Sequence, residues 1–131
     1  MNGYADRKVF ATREIDLDAG SLTDIVLTAF GTQQIQIHRL EFTGTTSSAG
    51  GATILFEKNG STTIESVVVP ASSVLNKTYY TKLTTPFVLA AGDYVTYTVT
   101  ESGTAPKGVI SVQYSLLDNA LADDSDAVES A

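Results

Sequence analysis

The chain of 131 residues contains no cysteine, no tryptophan and a single histidine. Without cysteine there can be no disulfide, no thiolate-held metal and no cysteine nucleophile. No apolar run is long enough to span a bilayer. The opening stretch MNGYADRKVF also lacks the apolar core of a signal peptide. These absences predict a soluble protein, made and kept in a reducing compartment, with no membrane partner.

Charge is sparse as well. Charged residues make up 18% of the chain, against roughly 25% in ordinary soluble domains. The net charge of −7 is unevenly placed: residues 118–131 hold Asp118, Asp123, Asp124, Asp126 and Glu129 with no basic residue. The remaining 117 residues carry eight bases and ten acids, so the body is close to neutral. Those eight bases are scattered along the sequence, which argues against nucleic acid as a partner, because phosphate binding needs clustered Lys and Arg. The acidic end, 118–131, reads as a disordered tail.

Threonine replaces the missing charge, with 18 copies. Its branched Cβ suits a pleated strand, and its hydroxyl keeps an outer face polar without charge. A weakly charged, threonine-rich surface favours a protein packed into an assembly.

Alternation with a period of two recurs along the chain and predicts strands with one buried face. The clearest case is 94–100, where Val95, Tyr97 and Val99 fall on one side. Tyr94, Thr96, Thr98 and Thr100 fall on the other, an uncharged row that invites a covering subunit. Residues 1–7 read as an extended arm. Strands are then expected at 8–17, with Val9, Ala11 and Ile15 inward, and at 25–30. In 33–43, Ile35 and Ile37 have odd parity while Leu40 and Phe42 have even parity, so a bulge near His38-Arg39 or a crossing between sheets is required.

Asn59-Gly60 between two β-rich runs predicts a two-residue hairpin turn, with Leu55 opposite Ile64. Pro70 should end the second run. Short strands at 78–83 and 87–90 and a final strand at 109–117, with Ile110, Val112, Tyr114 and Leu116 inward, complete the pattern. Eight or nine strands at roughly ten-residue spacing predict an all-β, antiparallel β-sandwich or barrel spanning 8–117.

No cluster of residues carries chemistry. His38 has no cysteine or nucleophile-elbow serine to work with. Glu57 and Glu65 fall on opposite faces of the predicted hairpin and cannot form a carboxylate dyad. Asp16 and Asp18, like the acids at 123–126, could meet calcium only weakly, without a proper loop spacing. Asn59-Gly60-Ser61 and Asn76-Lys77-Thr78 match glycosylation triplets in form and are better read as turns. We therefore expect no enzyme activity, no cofactor and no metal.

Taken together, the arm ending in RKVF (Arg7–Phe10), the threonine-rich strands, AGDYVTYTV at 91–99 and VISVQYSLL at 109–117 resemble the jelly-roll head-decoration, or cement, proteins of tailed bacteriophages. The resemblance covers residues 8–117. It implies a jelly roll, a homotrimer, and a virion protein on the capsid surface, synthesised in the host cytoplasm, that clamps the major capsid protein lattice. The acidic tail has no counterpart in that pattern. Tyr4, Arg7, Lys8 and Phe10, aromatic and basic residues of the arm and its junction with the first strand, are the expected partner contacts. Outward Tyr94 joins them. The alternative is a phage tail or receptor-binding sandwich that recognises a glycan through Tyr94 and one of Tyr79 and Tyr80.

Overall fold

A computed structural model describes residues 8–19, 23–29 and 34–117. The expected arm (Tyr4 and Arg7 included), the acidic tail and the end of the second expected strand lie outside these. The described elements are β1 (Lys8–Asp16), a 3-10 turn (Leu17–Ala19), β2 (Thr23–Thr28), β3 (Gln34–Gly44), β4 (Gly51–Lys58), β5 (Thr62–Val69), β6 (Thr78–Leu89), β7 (Tyr94–Ser102) and β8 (Lys107–Leu117).

Two four-stranded sheets form, in the orders β1-β8-β3-β6 and β2-β7-β4-β5, with every pairing antiparallel. The pairs β4–β5, β3–β6, β2–β7 and β1–β8 nest inside one another, as if a single long hairpin had been rolled into two sheets. That is the jelly roll. The β6 run absorbs both short strands expected at 78–83 and 87–90, which brings the count to eight.

Between the sheets lies a core of side chains from alternate positions: Ile35, Ile37, Leu40, Phe42, Ile110 and Val112 from one, Ile54, Phe56, Val67, Val95, Tyr97 and Val99 from the other. β3 remains in one sheet and changes parity through a bulge. Ile37 pairs with Tyr114 and Arg39 with Gln113, leaving His38 as the extra residue. Ile35 and Ile37 on one side of it, and Leu40 and Phe42 on the other, all reach the core. At the same place on β6, Lys82 pairs with Arg39 and Phe87 with Ile37, so residues 83–86 bow out opposite His38 alone. Pro86, which has no N–H to give the ladder, sits in that bow.

The Asn59-Gly60 turn differs from its expected register. Both residues take positive φ, 55° and 74°, yet the loop has three residues and pairs Lys58 with Thr62. A bulge between Phe56 and Glu57 adds a second shift, and Leu55 faces Ser66 instead of Ile64. The strand beyond the bulge is slid by two residues relative to the simple register, so Val67 replaces Glu65 opposite Ile54, and Glu65, exposed, stands opposite Phe56. A shift of two leaves Glu65, Val67 and Val69 on the same parity, so alternation alone does not choose between the two registers.

Asn59 also ties this turn to the β6–β7 corner. Its N–H donates to Tyr94 O at 2.8 Å, its Nδ2 to Asp93 Oδ1 at 3.0 Å, and its Oδ1 accepts from Tyr94 N–H at 3.0 Å. The other Asp93 oxygen accepts from Ala90 N–H at 3.0 Å. The bonds from Asn59 and Ala90, in that order, hold the Asp93 carboxyl below its usual range. Because the folded pKa is depressed, this stabilisation is complete above about pH 4 and fades as pH falls through the lower folded value. Asn59→Ala should raise the Asp93 pKa toward normal in a carbon-detected NMR titration. An unmoved value would show that the bond from Asn59 is not what lowers it.

Two further features depart from expectation. Val9 lies on inward parity but is 38% exposed, because only the end of edge strand β1, at Ile15, is covered by the other sheet. Thr96, on outward parity, is only 5% exposed. Its neighbours Ile25 and Glu57 flank it across the sheet, and its hydroxyl donates to Glu57 O at 3.4 Å. Part of the uncharged threonine row is thus covered by the chain itself. At the open side of the sandwich, Arg13 of β1 pairs with Asp24 of β2, an inward-parity charge on each edge strand. Such charges discourage edge-to-edge pairing.

Candidate functional site

The outer face of the β1-β8-β3-β6 sheet gathers what the sequence scatters. Cross-strand pairing lays its side chains in rows. Lys8, Ser115, Gln36 and Val88 form one row. Phe10, Gln113, Arg39 and Lys82 form the next, and Thr12, Ser111, Glu41 and Tyr80 a third. His38 is wedged between the first two. Lys8, Arg39 and Lys82 come together at one end of this face, while Lys107 lies toward its other end in a row with Asp16, and Glu14 and Glu41 share the face. The bases remain scattered along the sequence, and three of them meet around the bulge.

Around the bulge this face dips into an open cleft of about 440 Å³, lined by Lys8, His38, Arg39, Lys82, Pro86 and Gln113 among others, with no acidic residue in its lining. The cleft exists because β3 and β6 both depart from regular pairing at the same point. The Arg39 guanidinium stacks on Tyr80, 3.8 Å from the ring centroid, and its Nε lies 2.5 Å from Glu41 Oε2. Stacking and ion pair together hold the arginine in place before any partner arrives. Beside these cations, Phe10 is 49%, Tyr80 56% and Val88 46% exposed.

His38 Nε2 and Ser115 Oγ are hydrogen-bonded at 2.7 Å. A serine next to a histidine is the start of a nucleophile pair, but Ser115 is only 3% exposed and the histidine's bond goes to no carboxylate that could orient it. The contact fills the bulge. Burial, and then the positive charge of Lys8, push the His38 pKa below its ordinary value. The unfolded chain thus binds this proton more readily. Stability should rise with pH from the lowered folded value to about 6.5, and be flat above it as far as this group is concerned. Lys8→Ala should bring the His38 pKa part of the way back in an NMR titration, since burial, the larger cause, remains. A further fall would contradict that electrostatic coupling.

Of the expected contact residues, Lys8 and Phe10 share this face, in adjacent rows. Tyr94 does not. It is half-buried on the outer side of β7, in the opposite sheet. Tyr80 points outward, whereas Tyr79 packs partly against the core and accepts a bond from Val74 N–H. Tyr80 and Tyr94 therefore stand on opposite sheets and form no common platform for a sugar. Lys82 and Val88 are not expected contacts from sequence, Arg39 is marked there only beside the bulge, and Tyr80 only as one of two tyrosines that could meet a glycan. The bulge forced by Ile37 and Leu40 was the available signal, because it marks where β3 turns a side chain aside.

The other candidates have local roles. Asp16 Oδ1 accepts from Asp18 N–H at 3.0 Å, and Asp18 Oδ1 from Ala105 N–H at 3.2 Å, so these carboxylates cap the turn after β1. Among the described residues, no three metal-ligating side chains stand together, and no helix is long and apolar enough to cross a membrane. Asn59 and Asn76 both sit in turns with positive φ.

Fold and site define an eight-stranded jelly roll with a mixed aromatic and cationic outer face. No protein-family model and no curated protein matches the chain. Among solved structures it is similar to a chain of the disulfide-linked pili that form Bacillus endospore appendages, with 20% identity, a TM-score of 0.45 and 82% of each chain covered. It is also similar to a protein of infectious bursal disease virus, Gx strain, with 14% identity and a TM-score of 0.36. That match takes in 85% of this chain and 31% of the viral one. Neither likeness bears on function.

Proposed function

We propose that this protein is a non-catalytic virion component, a decoration protein that binds the assembled capsid lattice of a phage head as a homotrimer and stabilises it. The observation that carries the reading is the outer face of β1-β8-β3-β6, where Phe10, Tyr80 and Val88 stand half-exposed among Lys8, Arg39 and Lys82. Aromatic residues and arginine are enriched at the energetic centres of interfaces. A protein that binds only the assembled lattice stabilises it by mass action, without a catalytic group. Attachment as an oligomer multiplies a modest contact through effective concentration.

Direct binding of purified protein to undecorated heads tests this. Tyr80→Asp and Phe10→Asp should each weaken binding at least tenfold, while Val68→Asp, exposed on the opposite sheet, should not. Equal binding by all three variants would overturn the assignment of this face.

A further inference from the structure

We propose that the acidic segment 118–131 docks back onto the basic cleft of its own chain, its carboxylates lying among Lys8, Arg39 and Lys82. The inference is independent of what the face binds in an assembly.

Cleft and segment are complementary in charge. The cleft lining carries three fixed positive charges and no acid, and the segment carries five acids and no base. Arg39 is partly neutralised by Glu41, which leaves Lys8 and Lys82 on opposite sides of the cleft as the less satisfied cations.

Connectivity favours the same contact. β8 ends at Leu117, and the residues before it build the cleft: Gln113 lines it and Ser115 holds His38 in its wall. The segment therefore starts beside the charges it would meet. Returning from Leu117 to the level of Gln113 takes roughly 13 Å along the strand, and the six residues to Asp123 can span roughly 20 Å. Asp123, Asp124 and Asp126 can then lie across β8, β3 and β6, where Arg39 and Lys82 stand. The cleft from β1 to β6 is about 14 Å wide at ordinary strand spacing. A short acidic run can bridge that width without a defined fold of its own.

Covalent linkage keeps the local concentration of these carboxylates high, so individually weak, screened ion pairs suffice. Docked this way, the segment would cover Lys82 and its surroundings. Any partner using the cationic part of the face would have to displace it.

The absence of cysteine makes the test clean, because a nitroxide on Ser125→Cys labels the full-length chain at one site. Amide signals of Lys8, His38, Lys82 and Gln113 should be strongly broadened at low salt. The broadening should vanish near 0.5 M salt, where screening acts over about 4 Å, and in the Lys8→Ala/Lys82→Ala double variant. It should also survive dilution with excess unlabelled, unenriched chain. Broadening that misses the cleft overturns the proposal. So does broadening seen only when label and enriched amides are on different chains, which would place the segment on a neighbouring copy. A full-length variant with Asp123→Asn, Asp124→Asn, Asp126→Asn and Glu129→Gln should lose the contact, and its persistence would exclude carboxylates as the ligands. Cleft shifts on adding inorganic phosphate to that variant, with no tail contact in the unaltered chain, would make this a small-anion site and likewise overturn the proposal.

Discussion

Phe42→Ala is expected to cost about 3–5 kcal/mol of folding stability, the range for truncating a buried aromatic residue. Phe42 is fully buried on β3, opposite Ile110 of β8 and Tyr79 of β6. Its ring lies over Gly108 and touches the space above Gly44, two glycines that face each other across β3 and β8. With backbone beneath it, the cavity left by alanine has no side chain at either glycine to collapse inward. Urea unfolding followed by fluorescence or circular dichroism measures the loss. A change below about 1 kcal/mol would mean that the site relaxes more freely than cores of this kind do.

Gly108→Ala is the complementary change, adding volume where Phe42→Ala removes it. A Cβ at 108 would lie 2.2 Å from the Thr43 carbonyl oxygen, 2.6 Å from Phe42 Cζ and 2.8 Å from Phe42 Cε1. The ring could tilt, but the carbonyl belongs to the β3 ladder and cannot move without breaking the pairing at that end. Overpacking typically costs about 1–3 kcal/mol, occasionally more, and the backbone clash puts this change toward the upper end. In the Phe42→Ala background the penalty should shrink only partly, since the Thr43 clash survives. A double-mutant cycle reads that coupling directly. Full relief would show that the aromatic contact was the whole cost, and an unaltered stability in Gly108→Ala alone would contradict the packing described here.

Most of the strand pattern is legible because each inner face repeats every two residues. Val95, Tyr97 and Val99, or Ile110 and Val112, could hardly be buried any other way. The parity change between Ile37 and Leu40 likewise demanded an irregularity, and the structure puts an extra residue at His38. The hairpin register was not legible. Asn59 and Gly60 adopt the conformations their chemistry favours, but a third loop residue and the bulge at Phe56/Glu57 slide the strand by two residues, a shift that leaves the inward parity of Val67 and Val69 unchanged and so leaves no mark in the alternation. Pro86 suggested two separate strands, whereas pairing with β3 resumes on both sides of a four-residue bow.

The site was less legible than the fold, for a physical reason. Lys8, Arg39 and Lys82 are separated by dozens of residues, and only the order β1-β8-β3-β6 brings them onto one face. Lys8 and Phe10 were picked out for their place at the start of the chain. Their position in rows with Arg39, Lys82 and Val88 follows from pairing alone. Tyr94 was chosen for outward parity, which says nothing about which sheet's outer face it joins.

The central claim is that this jelly roll works by attachment to a large assembled particle. Sedimentation of native source material, with electron microscopy of the fractions, tests it most directly. The protein should travel with capsid-sized particles and be seen on their surface as regular threefold clusters. Recovery of the protein only as a free, slowly sedimenting monomer, with the particles bare, would contradict it.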